Sequence, residues 1–442
     1  MNAAVTALPL APSWLDTLQH TRTLAERGRV VQAFGTTLRV SGLSARIGQQ
    51  CLISDRRGAR LRAEVVGFAH GEAILVPLGG LHDLACDAQV EIVADAPTMP
   101  CGEALLGRVL DSFGQPLDGR PLPTEGLTWR PVLADAPNPL GRLPVAQVFA
   151  TGVRAIDAAL TVGEGQRIGV FATAGGGKST LLGMLARQAA SDVNVVALVG
   201  ERGREVREFL EDSLGAAGLA RSVVVVATSE RPAMERLRAA QAATAIAEGF
   251  RAEGARVMLL MDSVTRCARA LREIGLAVGE PAVRRGFPPS VFAELPRLFE
   301  RAGNDERGSI TAFYTVLTED DDGSDPVAEE VRSILDGHIV LSRELGQAGH
   351  YPAIDIPASI SRVFNRVAAP AHRAAALRLR ALIARHAEIR FLVQVGEYKP
   401  GADALADAAL ERWPAIEALL RQPPDDDCAF AQTLQRLHEV VT

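Results

Sequence analysis

A chain of 442 residues, 48% of them apolar, is long enough for two to three domains with their own cores. Its formal net charge of −6 argues against a dedicated nucleic-acid binder. Five cysteines (51, 86, 101, 267 and 428) contain no C-x-x-C pair, which excludes a disulfide framework and a cysteine zinc site and points to a reducing cytosol.

Residues 1–26 read as a tail. Its first arginine is Arg22, so no basic leader precedes an apolar run. Trp14, Leu15, Leu18 and Leu24 fall near helical spacing and give a weak amphipathic stripe. Residues 27–94 change texture. Short β-rich runs (GRVVQAFGTTLRVSG, GQQCLIS, RLRAEVVGF, EAILVPLG, AQVEIV) alternate with glycines, and five or six such strands predict a small β-barrel. Residues 94–144 are rich in Pro and Gly. Pro131, Pro137, Pro139 and Pro144 forbid long regular elements there.

From about residue 145 to 362, apolar strands alternate with helical patterns. RIGVFA, VNVVALVG, SVVVVATS and RVMLLMD are almost continuously apolar, as strands buried on both faces of a parallel sheet must be. Helices are expected at 181–190, 208–214, 232–252 and 263–274. The fold class is a doubly wound α/β domain. Residues 368–442 are helical in pattern throughout, giving about three helices. The expected division is 1–26 tail, 27–94 barrel, 95–367 α/β domain and 368–442 helical domain. Apolar runs such as 223–227 and 257–261 are far too short to span a bilayer, so a soluble, cytoplasmic protein is expected.

The stretch RIGVFATAGGGKST (167–180) organises the α/β domain. A strand stops at three glycines, then Lys178, Ser179 and Thr180 open a helix. This is the layout of a phosphate-binding P-loop. Backbone N–H groups of Ala174, Gly175, Gly176 and Gly177 would close around phosphates, and the helix N-terminus adds positive potential. Lys178 would reach the β- and γ-phosphates of ATP, and Ser179 would hold Mg²⁺. The motif usually opens with Gly, and here that position is Ala172. Of 47 basic residues only Lys178 and Lys399 are lysines, leaving 45 arginines. A lysine at this position is therefore specific: a compact ammonium suits the phosphate loop where a guanidinium fork does not.

Two further strands end in acids. VNVVALVG leads into Glu201 and Arg202, and RVMLLMD ends in Asp262, followed by Arg266. Ligands of open parallel sheets sit beyond the carboxyl ends of the strands. Glu201 and Asp262 are thus expected on the P-loop edge, Asp262 holding Mg²⁺ and Glu201 polarising the attacking water.

With these pieces in view the chain resembles the rotary-type ATPases, most closely the type III secretion ATPases of the flagellum and the injectisome. The resemblance rests on ATAGGGKST, GERGREVREF, ATSERPAMER, LLMDSVTRCARALREIGLAVGEP, RRGFPPSVFAELPRLFERAG, GSITAFYTVL, RSILDGHIVLSRELGQAGHYPAIDIPASISRVF and GEYKPGAD, which cover about 150–403. It implies a RecA-like ATPase domain in a homohexameric ring, with nucleotide between subunits. It implies Glu201 as catalytic carboxylate, Arg202 as γ-phosphate contact with Arg266 nearby, and Arg362 as an arginine finger reaching the neighbouring subunit. Tyr351 becomes the aromatic that packs on adenine. Taken without the resemblance, Arg362 reads as a solvated charge and Tyr351 as a core or turn aromatic. The loop 279–289 (GEPAVRRGFPP) resembles the family's pore-facing loop. The acidic run 320–322 fails EF-hand spacing and reads as a solvated loop.

The family's partners are implied too: secretion chaperone–effector complexes, stator, regulator and stalk proteins, and an export gate at the inner membrane, with no nucleic acid. The injectisome is favoured over the flagellum by the AGGGKST loop and the short tail. A rotary ion-translocating ATPase and a Rho-like nucleic-acid motor are the competing readings. Motifs such as GFPPSVF and HYPAID disfavour the first, and the acidic charge and missing basic–aromatic platform disfavour the second. Glu201 itself disfavours a non-hydrolysing regulatory subunit.

Overall fold

The computed structural model describes residues 26–55, 58, 60–81, 84–85, 87–173, 175–318 and 325–442. The tail stripe at 14–24, the Ala174 position and the acidic run 320–322 lie outside these. The chain divides into two compact units, the first ending at Asp95 and the second comprising Ala96–Thr442.

The first unit is a closed barrel. Strands β1 (Arg27–Phe34), β2 (Thr37–Ser41), β3 (Gln50–Ser54), β4 (Arg60–Ala69), β5 (Glu72–Pro77) and β6 (Gln89–Ala94) close in the order β1-β2-β5-β4-β3-β6. Alternation drives it: Val40, Cys51, Ile53, Val65, Leu75 and Val90 turn inward and are fully buried.

The second unit is built on one large sheet. Its strands are β8 (Arg108–Asp111), β10 (Arg167–Ala172), β11 (Val193–Val199), β12 (Ser222–Ala227), β13 (Arg256–Asp262), β14 (Gly303–Asn304), β15 (Ser309–Leu317), β16 (Gly337–Leu341) and β17 (Ile354–Ser361). The order is β17-β16-β10-β15-β13-β11-β12-β8, with β14 paired to β15. Every residue of β11 and β12 is buried, as the continuous apolar runs predicted. Helices α1 (Lys178–Gln188), α2 (Ala233–Ala252) and α3 (Val264–Ala277) follow β10, β12 and β13. α2 is buried on nearly all sides, which its many alanines permit.

Three features differ from expectation. β8 comes from the Pro/Gly-rich stretch, yet it pairs in parallel with β12 at the sheet edge. Four residues are too few to show periodicity. β17 runs antiparallel to β16. The helix expected at 208–214 starts earlier, at Gly203, and widens into a π turn over Phe209–Leu214. A separate two-stranded ribbon pairs β7 (Thr98–Cys101) with β9 (Thr128–Pro131).

Three terminal helices, α4 (Pro370–Gln394), α5 (Ala404–Leu420) and α6 (Phe430–Val441), share a core with the sheet. Leu379, Leu382, Ile416, Leu419 and Leu437 belong to the same apolar cluster as Ile156 and Ile339. Among the described residues no helix is long and apolar enough to cross a membrane. Cys51, Cys101, Cys267 and Cys428 are buried and free, and no cluster of metal-ligating side chains occurs among the described residues.

Candidate active site

β10, β11 and β13 are mutually parallel through β15, so their carboxyl ends share one edge of the sheet. At that edge Gly177 caps α1 with φ 78°, a left-handed conformation that favours glycine. A Cβ there would also lie 3.1 Å from Tyr351 Cε1. Gly175 has φ 84° and faces open space. Ala172 is the last residue of β10 and is buried. It stands in extended strand backbone, which any residue adopts, so the glycine usual at this position is not required.

Lys178 leaves the first turn of α1 and spans both strand-end acids. Its Nζ donates to Asp262 Oδ1 at 2.5 Å and to Glu201 Oε1 at 3.4 Å. Asp262, 4% exposed, also accepts from Thr315 Oγ1 on β15 at 2.7 Å. Glu201 is 6% exposed. It accepts from Arg266 Nη2 at 3.3 Å, and Arg266 Nε lies 3.3 Å from its other oxygen. That approach depends on Gly200, where φ is 71° and a Cβ would sit 2.8 Å from Arg266 Cδ.

Burial, and next the charge of Asp262, push the Glu201 carboxyl up to about 7, against the pull of Lys178 and Arg266. Glu205 adds to the rise by accepting a hydrogen bond from it, and the same bond is the main cause that lowers Glu205. Burial opposes charge on Lys178, but Asp262 and Glu201 together outweigh it and raise its pKa.

Lys178, Glu201, Glu205 and Arg266 line a cavity of about 340 Å³ together with Thr173, Gly175, Gly177, Ser179, Thr180, Arg202 and Leu317, while Asp262 is not part of its wall and meets it only through Lys178. Thr173 Oγ1 is buried without a partner. The Lys178 ammonium and the N-terminus of α1 suit a polyphosphate, and hydroxyl plus carboxylate oxygens suit a hard divalent cation. Gly176 does not line the cavity and its N–H donates to Thr173 O at 3.2 Å, so, contrary to expectation, that amide is not turned toward a phosphate.

The remaining expected residues lie around this cavity or away from it. Arg202 caps a short helix, is largely exposed, and reaches Glu205 at 3.5 Å. Tyr351 is 41% exposed, its ring over Gly177. Arg362 is not part of this cavity. It follows β17, whose end pairs with the start of β16, at the opposite edge of the sheet from the P-loop. The length of β10 separates the two, roughly 17 Å at 3.3 Å per residue. Sequence reasoning missed Glu205, Thr173 and Thr315. Glu205 carried a signal, since it stands one helical turn after Glu201.

Comparison with known proteins bears on the family and the fold. Residues 152–361 match the ATP synthase alpha/beta family, nucleotide-binding domain, and residues 368–439 match the T3SS EscN ATPase C-terminal domain. The chain is 55% identical over 434 residues to a type 3 secretion system ATPase of Xanthomonas euvesicatoria, with 98% of each chain covered. It is 46% identical over 427 residues to a flagellum-specific ATP synthase of Bacillus subtilis, covering 96% of this chain and 97% of the relative. The assembled ATPase EscN of the enteropathogenic E. coli type III secretion system superposes with a TM-score of 0.89 at 46% identity, covering 94% of this chain and 100% of that one. EscN in complex with its central stalk EscO gives 0.87 at 45% identity, with the same coverage of 94% and 100%. The P-loop fold, the nucleotide cradle and these matches together make the chain a member of the type III secretion ATPase family, an ATP-hydrolysing enzyme.

Proposed function

We propose that the chain is the homohexameric motor of a type III protein secretion system, coupling ATP hydrolysis to chaperone release and to unfolding and export of substrates. The observation that carries this reading is the split of the catalytic set. Lys178, Glu201 and Asp262 meet at one edge of the sheet, while Arg362 stands exposed at the other. Residues on opposite edges of one subunit suit active sites completed between neighbours around a ring.

In this reading Lys178 and the loop amides bind the β- and γ-phosphates, Tyr351 stacks on adenine, and Arg202 and Arg266 contact the γ-phosphate end. Ser179 and Asp262 would hold Mg²⁺, which supplies charge neutralisation on the phosphates. Glu201 orients water and takes its proton. Its raised pKa places it near the best value for a base at neutral pH. Arg362 stabilises charge that develops on the γ-phosphoryl of the neighbouring site. The working chain divides into tail 1–26, barrel 27–94, ATPase domain 95–367 and helical domain 368–442. Expected partners are chaperone–effector complexes, stalk and regulator proteins and the export gate, at the cytoplasmic face of the inner membrane. The injectisome is the preferred setting.

Replacing Lys178 tests the cradle. Lys178→Ala removes a charged donor to phosphate, a loss of about 1.5–3 kcal/mol or roughly 10- to 100-fold in ATP affinity. Equilibrium binding of a fluorescent ATP analogue measures this, and unchanged affinity would contradict the P-loop reading.

A pH profile tests Glu201. The base works ionised, so activity is present above the pKa and lost as pH falls through it. The acid limb of kcat/KM is expected near the value of about 7 for Glu201. Because Glu201 shares its proton with Glu205, that limb belongs to the pair. Glu205→Ala removes the acceptor that stabilises protonated Glu201 and should move the limb to lower pH. An unmoved limb would rule out the shared proton.

A further inference from the structure

The end of β17 is tied to the foot of the P-loop strand. Asp336 stands between β16 and the helix before it. Its carboxylate accepts from Arg167 Nε at 3.0 Å, from Arg167 Nη2 at 3.2 Å and from the Arg167 backbone N–H at 3.1 Å. Its own N–H donates to Arg167 O at 2.9 Å. Arg167 is the first residue of β10, the strand that ends at the P-loop. It is braced further by Glu300.

The Asp336 carbonyl faces the other way. It accepts the backbone N–H of Arg362 at 2.9 Å and Gln166 Nε2 at 2.9 Å. Arg362 therefore starts from a point fixed by Asp336. Its guanidinium donates to Arg332 O at 3.0 Å. The Arg332 side chain in turn lies over Phe171 of β10, 4.6 Å from the ring centre. Next to Asp336, Gly337 admits the β17 backbone: a Cβ there would meet Ile360 O at 2.5 Å.

We propose that Asp336 is a positioning residue for Arg362, holding the root of the finger in register with the P-loop strand of its own subunit. This rests on the reading of Arg362 as a finger that acts on the neighbouring site. A long, flexible side chain stabilises a transition state well only from a fixed origin, and misplacement by about 1 Å can cost roughly 10²-fold in rate. Through Asp336 the two half-sites at the two edges of one subunit keep a set spacing. Each subunit then presents its finger at a height fixed by its own nucleotide strand.

Asp336→Asn keeps the size of the side chain and removes its charge, while Arg167 retains Glu300. The expected result is a normally assembled ring with KM for ATP within about twofold of the parent and kcat down on the order of 10-fold. The deciding readout is trapping of MgADP with aluminium fluoride, a transition-state mimic that needs the finger but no turnover. Asp336→Asn alone should trap several-fold less than the parent. Co-assembled with Lys178→Ala, whose own site is disabled but whose finger is intact, it should trap several-fold more per Asp336→Asn subunit. Parent-like trapping by Asp336→Asn alone, or no gain on co-assembly, overturns the proposal. Arg362→Ala mixed with Lys178→Ala is the reference. A gain there with none for Asp336→Asn removes only Asp336; no gain in either contradicts the finger itself. If Asp336→Asn does not assemble, Arg167→Lys reads the same contact, because it keeps charge and loses the two-pronged grip.

Discussion

Arg362→Ala should assemble and bind ATP normally yet lose nearly all turnover, by about 10³- to 10⁵-fold. That range corresponds to roughly 4–7 kcal/mol of barrier. The structure explains why the fold should tolerate the change. Arg362 is exposed, and its guanidinium holds one backbone carbonyl, that of Arg332. Its main-chain tie to Asp336 survives truncation. Nor does it line the cavity formed by its own chain, so binding of ATP through Lys178 and the loop is untouched. Steady-state ATPase at saturating ATP, with sizing and a binding assay on the same sample, checks this. Retained turnover would remove Arg362 from the reaction.

Glu201→Gln should also bind ATP and hydrolyse it about 10²- to 10⁴-fold more slowly. Glutamine keeps the shape but cannot accept a proton from water. The substitution also removes a buried negative charge beside Asp262, so ATP affinity should be unchanged or tighter. The two carboxylates otherwise share Lys178, with Arg266 as a second counter-ion on Glu201 alone. Single-turnover hydrolysis separates this variant from Lys178→Ala, which fails at binding. Near-normal turnover would dismiss Glu201 as the base.

Particular residues show how far the amino-acid order alone reaches. The continuous apolar runs of β10 to β13 name a buried parallel sheet because they are only six or seven residues long, too short for a buried helix, and in β11 and β12 rich in β-branched residues. The acids that end β11 and β13, with a P-loop at the end of β10, place Glu201 and Asp262 at one edge by topology. The positions of Tyr351 and Arg362 were not readable that way. Each lies more than 170 residues from Lys178 in the chain, and neither belongs to a periodic element that would fix its partner. They were reached through family resemblance, and the structure then puts Tyr351 on Gly177 and Arg362 at the far edge. Glu205 was missed because a carboxylate in a first helical turn is ordinarily a solvated cap residue. Burial of Glu201 beside it turns it into a proton acceptor. β8 was missed because its two apolar residues, Val109 and Leu110, stand between Arg108 and Asp111 in a run of four, too short to show alternation.

In the proposed ring each active site is completed by a neighbouring subunit. Mg-ATPase activity per subunit, measured across a range of protein concentrations with sizing at each point, tests it most directly. Specific activity should rise steeply and follow ring formation. A constant, non-zero activity in samples that sizing shows to be monomeric would contradict it.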